Sequence, residues 1–137
     1  MTHNGFEWVR IHHERVDPFP DFSTLLDAVG DLATRASWRL RGVECFGEGA
    51  SVLEGWSDDE SEVSGPTLAA TASKLSQVVE GYFLASDEQG RDALTIHAID
   101  GTAWLIGSDV ESLIEGLANV FPGTEKLGPG NKMDPFD

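Results

Sequence analysis

Cationic side chains are scarce in this chain: nine Lys and Arg stand against twenty-four Asp and Glu in 137 residues, a formal net charge of −15. A field of that sign repels nucleic-acid backbones and anionic lipid, so neither direct nucleic-acid binding nor membrane binding is expected. Cysteine is scarcer still. Cys45 stands alone, which excludes an internal disulfide and leaves it, without a CxxC partner, the ordinary role of a small buried hydrophobe. No stretch of eighteen apolar residues occurs, so no membrane-spanning helix is expected. The opening Met1-Thr2-His3-Asn4-Gly5 has no basic region leading into an apolar one, hence no visible secretory signal. A lone thiol without a signal fits a cytoplasmic setting.

Signatures of catalysis and cofactor binding are also missing. His12-His13-Glu14 places adjacent imidazoles on opposite faces of a strand, and neither HExxH nor CxxC spacing supplies further zinc ligands. Asp58, Asp59, Glu60 and Glu62 lack the alternating oxygen ligands and final bidentate Glu of a calcium loop. Gly47-Glu48-Gly49 does not continue into GxGxxG, and Glu48 would repel a phosphate. There is no GxSxG elbow. We therefore expect no cofactor, no metal and no enzymatic activity.

Apolar residues make up 40% of the chain and aromatics 9%, enough for one ordinary core at this length. The charge is unevenly placed. Residues 1–41 carry five Arg and six acids, whereas 42–137 carry four basic residues and eighteen acids, a net −14. Such a surface attracts cationic partners and speeds encounter with them in a salt-dependent way, although solubility alone would also account for it.

Residues 6–12 are rich in aromatic and β-branched types and read as a strand. After Pro18 and Pro20, Asp21 or Ser23 can cap a helix over 22–36 that continues through Gly30. Trp38 to Phe46 reads as a strand with a bulge at Gly42, because the alternation slips there. Ala50 to Leu53 reads as a short third strand, and 57–65 as an acidic loop. Pro66 opens a helix running to Val79, with Leu68, Ala72, Leu75 and Val79 buried. Period-two patterning then predicts strands near 82–86, 93–99 and 102–107. Asp100-Gly101 is a two-residue type I′ turn that pairs Ile99 with Thr102 and His97 with Trp104. Ser108-Asp109-Val110-Glu111 reads as a capping box before a helix ending at Pro122-Gly123. The expectation is a single α+β domain over 1–127: a largely antiparallel sheet with about three helices mainly on one face, and a flexible tail over 128–137.

Two groups of residues are candidates for contacting a partner. The acidic stretch Asp58, Asp59, Glu60 and Glu62, with Trp56 beside it, is either a solvated loop or a surface for Arg and Lys of a basic protein. His97 and Trp104, as cross-strand neighbours, would carry an apolar patch with Ile99 and Ile106 if no helix covers that face.

Three segments, Glu80-Gly-Tyr-Phe-Leu-Ala, Leu94-Thr-Ile-His-Ala-Ile-Asp-Gly-Thr-Ala-Trp and the Ser108-to-Phe121 helix, resemble the small acidic immunity proteins of bacterial toxin systems. The resemblance spans roughly 80–127 and is one of general pattern. It implies a cytoplasmic α+β protein that neutralises a cognate toxin, a nuclease among the options, and it transfers no functional residue. Alternatives from other classes are a nucleic-acid mimic binding several nucleic-acid proteins, and a small-molecule-binding or enzymatic domain.

Overall fold

A computed structural model describes residues 5–130. The chain order is β1 (Glu7–His12), α1 (Phe22–Val29), α2 (Asp31–Arg35), β2 (Ser37–Gly47), α3 (Ala50–Asp59), β3 (Val63–Ser64), α4 (Gly65–Ala72), β4 (Leu75–Ser86), β5 (Asp92–Ile99), β6 (Ala103–Ser108), α5 (Glu111–Val120) and β7 (Glu125–Pro129). The fold is α+β. Among the described residues, seven strands form one antiparallel sheet in the order β3-β2-β4-β5-β6-β1-β7.

The strand registers divide the sheet into two faces. Val9, Ile11, Trp38, Leu40, Phe83, Ala85, Leu94, Ile96, Trp104 and Ile106 point to one side and form a single buried cluster. Each helix adds to that cluster: Phe22, Leu25 and Leu26 from α1, Ala33 from α2, Leu53 from α3, Leu68 and Ala72 from α4, Ile114 and Leu117 from α5. The opposite face carries a smaller cluster of Phe6, Trp8 and Leu105, to which no helix of the described residues contributes. Among the described residues, no helix is long and apolar enough to cross a membrane.

Among the described residues, five helices stand where about three were expected, partly because Gly30 does interrupt the first one. Gly30 sits at φ 80°, ψ −137°, a conformation open to glycine that turns the chain out of α1 before α2 begins. Ala50–Leu53 is the first turn of α3 instead of a strand. Leu53 and Ser57, four residues apart, are both buried, and a four-residue apolar window cannot distinguish the two periods. Consequently Ser57 to Asp59 lie in a helix, and β3 takes up part of the supposed 57–65 loop. The helix opened by Pro66 is real, with Ser64 as its N-cap accepting from the Thr67 N–H. It ends at Ala72, and Leu75 to Val79 pair instead with β2. Leu68, Ala72, Leu75 and Val79 fit a helical stripe, but long-range strand pairing overrides that local pattern.

The bulge at Gly42 is present, with φ 63° and a register shift between Arg41 and Glu44. The Asp100-Gly101 turn also forms: φ is 52° and 68°, and the Thr102 N–H donates to Ile99 O at 2.9 Å. The register after it differs by one residue, because Thr102 is extra and Ile99 faces Ala103. A one-residue slip moves every later side chain to the other face. Trp104 and Ile106 therefore join the core, while Leu105 leaves it.

The capping box does not form. Ser108 is fully buried in β6, and its hydroxyl donates to Ala93 O at 2.6 Å while accepting from the Val110 N–H. Residues 128 and 129, expected in the tail, belong to β7, and the Trp8 indole N–H donates to Gly130 O. Residues 131–137 of that tail lie outside the described residues.

Candidate partner-binding surface

Strand β2 leaves part of its outer edge without a strand partner, since β3 pairs only with Ser37 and Trp38. Unpaired edge N–H groups need cover, and α3 supplies it. Ser57 Oγ accepts from the Val43 N–H and Glu54 Oε2 from the Cys45 N–H, both at 3.1 Å. Gly47 and Gly49, at φ 110° and 93°, turn the chain back onto this edge. A Cβ at Gly47 would stand 2.4 Å from the Ser76 nitrogen, so only glycine fits there.

The geometry fixes one side of α3. Leu53 is fully buried and Trp56 half-buried against the core, while Asp58 and Asp59 project from the last turn into solvent. Glu60 ends the helix in the left-handed region at φ 52°, its N–H and that of Ser61 closing onto Ser57 O and Trp56 O. Glu62 follows, also exposed. Four of the sequence candidates and the indole of Trp56 thus fall on the end of α3 and the three residues after it. Only Glu60 has an ion pair shown here, to Arg41 at 2.5 Å, and both side chains are exposed.

This arrangement opposes the helix dipole. Backbone carbonyls give a helix C-terminus a partial negative charge that favours Lys or Arg, by about 0.3–1 kcal/mol each at exposed positions. The last turn of α3 contains no basic residue, and it carries Asp58 and Asp59 instead.

His97 and Trp104 are not neighbours. Trp104 faces Ala98 and His97 faces Leu105, so the two side chains occupy opposite sides of the sheet. Both are buried. Trp104 stacks near Phe19 and Phe22 and donates its indole N–H to Pro20 O at 2.9 Å. His97 stacks on Tyr82 at 4.0 Å, its Nε2 stands 3.7 Å from Glu80 Oε2, and its Nδ1 is buried without a hydrogen-bond partner. Burial pushes the His97 pKa down, and the nearby Glu80 carboxylate only partly offsets this. The expected patch of Ile99, Trp104 and Ile106 does not exist as one surface.

Cys45 is buried with its thiol pushed up to about 11, by burial first and by the Glu54 charge second, so little thiolate is present at neutral pH. Among the described residues no three His, Cys, Asp or Glu side chains converge as metal ligands. Sequence reasoning missed Phe46 and Val52, which are 56% and 47% exposed at the corner between β2 and α3, with Glu44 and Glu48 exposed nearby in the chain. The strand alternation held the signal for Phe46, since burial of Cys45 turns its neighbour outward.

Fold and surface together define an α+β protein built on a seven-stranded antiparallel sheet, with an acidic helix end beside the β2 edge. Comparison with family models, with curated proteins and with solved structures returned no match for this chain.

Proposed function

We propose that this chain is a non-enzymatic binding protein that neutralises a basic protein partner, as an immunity protein does a bacterial toxin, and that it works in the cytoplasm. The observation that carries the reading is the set of exposed acids at the C-terminal end of α3. Charge placed against a helix dipole costs stability, and local rules are broken most often where function requires it. The half-buried Trp56 offers apolar contact beside that charge, and the exposed Phe46 and Val52 extend an apolar surface at the other end of the same helix, which suits an interface that mixes apolar and charged contacts. A nuclease fits as the partner, because a cleft that binds nucleic acid is lined by Lys and Arg, and an acidic surface can occupy them.

The test begins with capture of partners from the source cell at low and high salt. One dominant basic protein, weakened as salt rises, is the expected result; several nucleic-acid proteins would favour a mimic instead. In the captured complex, Asp58→Lys with Glu60→Lys should weaken binding at least about tenfold, or about 1.4 kcal/mol, and flatten the salt dependence. Unchanged affinity in a double variant that still melts cooperatively would remove this surface from the proposal.

A further inference from the structure

A second surface lies toward the other end of the sheet, at the loop after β1. We propose that the cleft between residues 16–21 and the end of α5 receives an arginine side chain of a basic protein partner. The cleft has a volume of about 390 Å³, within the range of roughly 300–1,000 Å³ common to ligand sites. Its walls are apolar, formed chiefly by Val16, Phe19, Val120 and Phe121.

The charged side chains that line it, Asp17 and Asp21, are both carboxylates. Pro18, Pro20 and Pro122 line it and have no N–H to offer. The N–H groups of Val16, Thr24 and Phe121 are already held, by His12 O, Asp21 Oδ1 and Leu117 O. The Asp17 carboxylate and the second oxygen of Asp21 are left to accept. The positive end of α1 is taken up by Asp21 as its N-cap, whereas α5 ends here with no basic residue in its last turn. The carbonyl end of α5, at Val120 and Phe121, adds a partial negative charge to this side of the cleft. Two carboxylates and no basic side chain in the lining favour a donor-rich cation over an anion.

Guanidinium fits better than ammonium, because its planar fork can pair with Asp17 while stacking on Phe19. The apolar walls suit a methylene stem. Val120, 56% exposed at the edge, would be covered by a partner's backbone and left wet by a small free cation. The neighbouring Arg15 and His13 do not line the cleft.

The isolated protein suffices for the test, read by amide chemical shifts as acetyl-arginine methylamide is added, with acetyl-norleucine methylamide and agmatine as comparators. Saturable shifts at Phe19, Thr24, Val120 and Phe121 are expected. They should weaken at least about fivefold in Asp17→Asn with Asp21→Asn. Asn caps a helix as well as Asp does, and Asp17→Asn alone touches no cap, so one variant remains folded. Absent shifts, equal binding of the norleucine probe, or unchanged affinity in the Asn variants would overturn the assignment. Tighter binding of agmatine than of the capped arginine would assign the cleft to a free cation and equally overturn it. Neither probe involves α3, so this result is separable from that of the Asp58 and Glu60 variants.

Discussion

An imidazole buried with one nitrogen unpartnered is costly when charged, because neither water nor a protein acceptor meets its second N–H. His97 is in that position, with Nδ1 orphaned and Nε2 facing Glu80. Its pKa is depressed in the folded protein below the ordinary 6.5. The folded state therefore binds fewer protons than the unfolded chain below pH 6.5. The contribution is fully present above 6.5 and is lost as pH falls through the depressed value. His97→Phe keeps the stack on Tyr82 and removes both the orphan nitrogen and the titration. Denaturant unfolding from pH 7.5 to 5 should show the wild type losing stability relative to this variant. Parallel curves would mean that Glu80 compensates the charge completely. His97 was legible in the sequence as a strand residue. Its burial was not: alternation sets it on the face opposite Ile96 and Ala98, but the Tyr82 ring that covers it comes from β4, a pairing that local pattern does not reveal.

At the level of elements, the acidic helix is inseparable from the strand edge it protects. Ser57 Oγ and Glu54 Oε2 hold two N–H groups of β2 that no strand reaches. Ser57→Ala should leave the Val43 N–H partly buried and unpaired, at a cost of about 1–3 kcal/mol. It should also accelerate hydrogen exchange at Val43 more than at Trp38, whose strand pairing with β3 is untouched. Equal exchange at both sites would show that α3 does not cover this edge. The same coupling explains which elements could be read from sequence. Strands with long alternation, such as β1, β5 and the first half of β2, carry their own signal. Helix α3 does not: its ten residues hold two glycine-flanked apolar positions and five acids or serines, and what holds it is contact with the β2 edge. Helix α4 and strand β4 were merged for the converse reason, since spacing compatible with a helix continues across Ser73-Lys74 into residues that pair with β2. The acidic site was thus visible as composition, and its placement at a helix end was not.

For the whole molecule, the balance of charge gives salt two opposite effects. The ion pairs shown, Arg10–Glu125, Arg41–Glu60, Arg91–Asp87 and Lys126–Glu115, all involve a cationic partner that is 43% exposed or more, and exposed pairs contribute about 0–1 kcal/mol each. Against them stands the self-repulsion of a net −15, concentrated in residues 42–137. Screening weakens attraction and repulsion alike, but at this imbalance repulsion is the larger sum. Raising NaCl from 10 to 300 mM should therefore raise the melting temperature, by about 2–5 °C if the gain is near 1 kcal/mol. The same salt should slow association with a basic partner, because screening removes the long-range attraction that steers encounter. A melting temperature that falls with salt would mean that the ion pairs outweigh the repulsion, and the acids would then be structural. Opposed responses, with a tighter fold and a slower encounter in the same titration, are what a surface kept acidic for binding at the expense of stability requires.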